Sequence, residues 1–142
     1  MNLVVSKSGN TLETISNSNV IIKGYNNSLN FDGTNDFVEI PDNNALDLSS
    51  AFSIEAWVFP TESGATRGQM IIGKVDDTQN GNSADMAYSL RLGSNGFRAE
   101  IGNGTVYAVK ESGIQNVKLN QWQHVSLVFD GSAGSLNLYL DG

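Results

Sequence analysis

The chain has 142 residues, no cysteine, and eight Lys and Arg against fifteen Asp and Glu, for a net charge of −7. That length buries a core without staples, while the missing cysteine removes disulfides, thiolate metal sites and a thiol nucleophile. The acidic balance opposes nucleic acid or an anionic membrane as partner, because phosphate recognition rests on Lys and Arg. No run approaches the ~20 apolar residues of a membrane-spanning helix.

Fifteen glycines and many Asn, Ser and Thr punctuate short apolar runs, and no segment keeps the i, i+3, i+4, i+7 spacing of an amphipathic helix. Short strands separated by turn signals predict an all-β protein. Leu3–Val5 and Val20–Ile22 have strand character, so residues 1–26 read as opening strands or as the tail of a preceding repeat. The run from Asn27 to Pro41 reads as a strand around a Phe31-Asp32-Gly33 turn, with Phe31 and Phe37 facing a core. From Phe52 to Pro60, Phe52, Ile54, Ala56 and Val58 share one face, and Ser53, Glu55, Trp57 and Phe59 the other. The two aromatics on that second face predict a strand partly covered on both sides, with Trp57 and Trp122 in the core.

Further along, Tyr88, Leu90 and Leu92 oppose Ser89 and Arg91. Asn95-Gly96 and Asn103-Gly104 predict type I′ hairpin turns, which makes residues 86–110 a three-stranded meander. Asp130 to Gly134 joins Val125–Phe129 to Leu136–Leu140, where the three leucines oppose Asn137 and Tyr139.

Three segments carry a resemblance. The order of Phe31-Asp32-Gly33 with its following strand and Pro41, then Phe52 to Pro60, then Trp122 to Gly131 running on to Gly142, resembles the laminin G-like (concanavalin A-like) domain family. The resemblance covers residues 27–142 and implies a two-sheet antiparallel jelly-roll sandwich, incomplete because the family's closing strands would follow Gly142. It implies a binding module more than an enzyme. An extracellular or cell-surface setting goes with it, and an export signal would lie outside this chain. An unpaired last strand would invite self-association through an open sheet edge.

Candidate site residues follow from oxygen chemistry and from aromatics. Asp32, Gly33 and Asp36 bring carboxylates and a carbonyl close together, hard donors of the kind calcium takes. In the domains resembled, the equivalent turn helps to hold a structural calcium. The alternative is a network in which Asp32 and Asp36 bond local backbone N–H groups. The polar stretch from Val75 to Asp85 offers Asp76, Asp77, Asn80, Asn82 and Asp85 to sugar hydroxyls or a cation, and long loops carry function. The loop from Thr61 to Gln69 is a second candidate surface. Tyr88, Tyr107 and Tyr139 could present the aromatic platform that pyranose rings favour.

Catalysis has little support. His124 is the only histidine, no nucleophile elbow is present, and the strand from Phe52 offers Glu55 alone where a glucanase would align paired carboxylates. The expectation is a non-catalytic module of a bacterial surface or secreted protein that takes a glycan or an adhesion ligand, with calcium as a structural aid. The alternative is a spacer or protein-interaction domain without a small-molecule ligand. A glycoside hydrolase comes third.

Overall fold

The computed structural model describes residues 2–4, 28–64, 68–75, 86–103 and 107–142. Nine strands follow in chain order: β1 (Asn2–Val4), β2 (Leu29–Asn30), β3 (Ala51–Phe59), β4 (Gln69–Val75), β5 (Met86–Gly93), β6 (Gly96–Gly102), β7 (Tyr107–Glu111), β8 (Gln123–Asp130) and β9 (Ser135–Leu140). They form a five-stranded sheet in the order β2-β1-β3-β8-β9 and a four-stranded sheet in the order β4-β5-β6-β7. Every pairing is antiparallel. The strand pattern predicts an all-β protein, and the two antiparallel sheets are those that the family resemblance implies.

The core sits where the inner faces meet. Val58 of β3, Leu90 and Leu92 of β5, Phe97 and Ala99 of β6, and Val125 and Leu127 of β8 are fully buried. Phe52, Ile54, Phe129, Leu138 and Leu140 pack on them as a half-buried margin. Each large apolar side chain so buried contributes roughly 2 kcal/mol by removal from water. Phe52 meets the ring of Tyr88 across the sandwich at 5.5 Å and that of Phe129 on the neighbouring strand at 5.6 Å. Because strand side chains alternate, this inner set dictates which residues must face outward.

Two details depart from the sequence reading. Phe31–Pro41 forms no strand, and strand structure in this region is confined to Leu29–Asn30. Phe31 still packs on the core margin, but Phe37 is 54% exposed. Alternation alone does not make a strand; a partner must supply the ladder hydrogen bonds, and no described strand lies beside residues 37–40. The second departure is the β5–β6 turn. Gly93 pairs with Gly96, so Ser94 and Asn95 are the turn residues, and Gly96, not Asn95, takes positive φ, at 96°. The expected type I′ geometry needs two residues at positive φ; here glycine alone takes the strained position, as in a turn closed by a bulge. A side chain at Gly96 would meet Ser112 and the Gly113 carbonyl. The strand expected at Leu3–Val5 is observed as β1, and that expected at Val20–Ile22 lies outside the described residues.

Candidate functional site

The outer face of the five-stranded sheet is a grid fixed by register. Trp57 lies opposite His124, Glu55 opposite Ser126, and Ser53 opposite Val128. On the other side of β8, Ser126 faces Tyr139 and Val128 faces Asn137. β8 therefore lays a polar line, His124 and Ser126, between Trp57 and Glu55 on β3 and Tyr139 on β9. Trp122 stands just before β8 and packs edge-on against Phe59 at 5.6 Å.

Local bonds hold this face in place. Gln123 points inward and is buried, its Oε1 accepting from the Lys118 N–H at 2.6 Å and its Nε2 donating to the Asn116 carbonyl at 3.1 Å. Tying down 116–118 sets the segment from which Trp122 projects. At the other end of the line, Asp141 accepts the His124 N–H at 3.0 Å and returns its own N–H to the His124 carbonyl at 2.9 Å. Lys118 Nζ bonds the same carboxylate at 2.7 Å, and with the His124 N–H it holds the Asp141 carboxyl below its usual range. His124 itself is clasped from β3: the Trp57 ring is 5.3 Å away and Glu55 Oε2 lies 3.4 Å from Nε2.

The result is a rigid face that keeps its aromatics in water. Trp57 is 49% exposed, Tyr139 47% and Trp122 42%. This corrects the expectation that both tryptophans belong to the core. The inner face of β3 was already filled by Phe52, Ile54, Ala56 and Val58, so Trp57 had to point outward. That parity was the signal available in the sequence.

The other nominated residues are less well placed. Tyr88 is 5% exposed and donates its hydroxyl to the Leu46 carbonyl at 3.2 Å, so it offers no ring face for stacking. Tyr107 is half-buried, accepting from Arg98 Nη2 at 2.6 Å and donating to Glu100. Asp76, Asp77, Asn80, Asn82 and Asp85 lie outside the described residues. In the Asp32 to Asp36 turn, Asp36 Oδ2 accepts the Asp32 N–H at 2.9 Å and Asp32 Oδ1 accepts the Thr34 N–H at 2.8 Å, with Gly33 at φ 83°. Both carboxylates thus serve the local backbone. Together with the Gly33 carbonyl they fit calcium in donor type, but they fall short of the six to eight oxygens it takes. Among the described residues, no group of three or more His, Asp or Glu is arranged to hold a metal.

A cluster that the sequence reading missed lies on the opposite outer face, that of the four-stranded sheet. Glu100 of β6 is fully buried, and its carboxylate accepts from Ser89 Oγ at 2.6 Å, from Arg98 Nε at 2.7 Å, and from Arg91 and Tyr107. Burial pushes the Glu100 carboxyl up, but the bonds from Ser89 and Tyr107 and the Arg91 charge outweigh it and hold it below the usual range. Arg98 spans the cluster, reaching Glu111 at 2.9 Å. A glycosidase acid must carry a proton and touch its substrate. Glu100 is arranged to do neither.

Two packed antiparallel sheets, with exposed aromatics along a polar line on one outer face and a sealed ion network on the other, place the chain in the class of all-β sandwiches. A family model described as the concanavalin A-like lectin/glucanases superfamily, of laminin G type, matches residues 32–142, and the chain belongs to that superfamily. No curated protein and no solved structure gives a match to it. Among the described residues, no helix is long and apolar enough to cross a membrane.

Proposed function

We propose that this domain is a non-catalytic glycan-recognition module of a surface or secreted protein. One observation carries the reading: Trp57, Tyr139 and Trp122 stand half-exposed on a single rigid sheet face, interleaved with His124, Ser126 and Glu55. Aromatic rings left in water cost free energy unless something covers them, and rings mixed with hydrogen-bonding groups suit the two-sided chemistry of a sugar. The test is retention of the purified chain on immobilised glycans together with an assay for new reducing ends. The expected result is binding without cleavage; release of reducing ends would overturn the non-catalytic part.

Calcium is proposed as an aid at Asp32, Gly33 and Asp36, with further oxygen donors completing the shell. Added calcium should raise the melting temperature of the wild type and not that of Asp36→Asn. Asp76, Asp77, Asn80, Asn82 and Asp85 remain proposed ligand contacts on their carboxylate and amide chemistry alone. A second reading, protein interaction by strand pairing, is favoured by β9, which like β2, β4 and β7 is an edge among the described strands. Since the Asp141 N–H points to β8, alternation turns the Leu140, Leu138 and Leu136 N–H groups to the free edge. Concentration-dependent sedimentation of the wild type checks it; a monomer at every concentration excludes self-pairing.

A further inference from the structure

The grid of the outer face sorts ligands as well as presenting aromatics. Trp57 and Tyr139 stand on strands flanking β8, one register step apart along the sheet. With neighbouring strands about 4.8 Å apart and a two-residue step of about 6.8 Å, their β-carbons are about 12 Å apart. Neither one pyranose ring nor two neighbouring ones cover both, since linked ring centres lie much closer together than that; the first and third rings of a run of about three can. Between the aromatics lie His124 and Ser126, with Glu55 at the side, so hydroxyl-bonding groups fall where the ring between would pass.

Charge narrows the choice. Glu55 has an open side chain, 71% exposed, and Lys118 spends its ammonium on Asp141 at 2.7 Å. Among the described residues the arginines, Arg91 and Arg98, sit on the opposite face and are bound to Glu100. With the chain at −7, nothing described on this face compensates a carboxylated or sulfated ligand. An apolar protein surface fits poorly as well, since a polar line divides the aromatics.

We infer that the outer face across β8 seats an uncharged linear oligosaccharide of at least three pyranose rings, the first on Trp57 and the third on Tyr139, with His124, Ser126 and Glu55 bonding hydroxyls of the ring between. This rests on the glycan-recognition reading and specifies its ligand. Binding depends on length: one or two rings engage one aromatic, and a third ring adds the other at little further cost in lost freedom.

The experiment is calorimetric titration of the full chain with neutral gluco- and manno-oligosaccharides of one to four rings and with a carboxylated polysaccharide. Wild type, Trp57→Ala, Tyr139→Ala and Trp57→Phe are compared, each checked by its melting curve. Affinity should rise about tenfold or more from one ring to three, and each alanine variant should lose about tenfold of it. Trp57→Phe should keep most of the binding yet lose the change in tryptophan emission on ligand addition, a readout independent of stability. Glycan binding that neither alanine variant weakens overturns the seat across β8 and leaves the glycan reading intact. Equal affinity for one ring and for four overturns the two-platform geometry. Preference for the carboxylated polymer overturns the charge argument. Absence of any glycan binding by the wild type, with retention of a protein partner instead, overturns the reading beneath it.

Discussion

The two outer faces of this sandwich are built by the same alternation and end in opposite states. On the four-stranded sheet the outward residues Ser89, Arg91, Arg98, Glu100 and Tyr107 satisfy one another until a carboxylate is sealed from solvent. On the five-stranded sheet the outward residues Glu55 and Trp57 both meet His124 without closing a network, and Trp57 and Tyr139 stay 49% and 47% exposed. A closed polar network gives rigidity and has no capacity left for a ligand. An open face of aromatics and donors has that capacity, and this is why the recognition site is proposed there.

The strongest way to break the comparison is to open the closed face. Glu100→Ala removes the carboxylate that Arg91 and Arg98 share, leaving Glu111 on Arg98 alone, and removes the acceptor of Ser89 and Tyr107, and it should cost about 3 kcal/mol of stability. Chemical denaturation measures it. A loss much smaller than that would mean the arginines simply swing into solvent, and the face was never closed.

Acid should open the same face without a mutation. The Glu100 carboxyl lies below its ordinary value near 4.5, so its contribution is fully present above that value and is lost as pH falls through it and on down to the lowered one. The melting temperature should therefore fall on acidification below about pH 4.5, and more steeply for wild type than for Glu100→Gln. Equal slopes would remove Glu100 from the account.

Gly96 tests the closed face from its backbone. It opens β6, the strand that carries Arg98 and Glu100, at a φ of 96° and with Ser112 and the Gly113 carbonyl where a side chain would go. Gly96→Ala combines strain at positive φ with that collision and should cost about 2 kcal/mol. The same exchange at Gly134, which has positive φ but open space around it, should cost less.

Much of this architecture could be read from sequence, and the failures share one cause. Alternation in Phe52 to Phe59, Tyr88 to Leu92 and Leu136 to Leu140 assigned inner and outer faces, because period-two burial is written within each strand. Whether residues 37–40 become a strand depends on a neighbour that no local pattern records. Glu100 shows the same limit: its partners come from three strands, and only the assembled register brings Ser89, Arg91, Arg98 and Tyr107 to one carboxylate. The Asp32 to Asp36 turn lay at the other extreme. Its bonds span four residues or fewer, and the local network was foreseeable as one of two alternatives.

The smallest expected effect separates the open face most sharply from a core. A buried tryptophan truncated to alanine costs roughly 3–5 kcal/mol. Trp57 is half in water and packs mainly on His124, so Trp57→Ala should change stability by only about 0.5 kcal/mol. Denaturant midpoints of wild type and variant measure the difference, with an unchanged slope showing that the same surface unfolds. A loss near the core value would mean that the ring supports the sheet, and its exposure would then no longer argue for a ligand. A loss near zero leaves a costly apolar ring held in solvent by a sheet that does not need it, and that is the condition a binding platform has to meet.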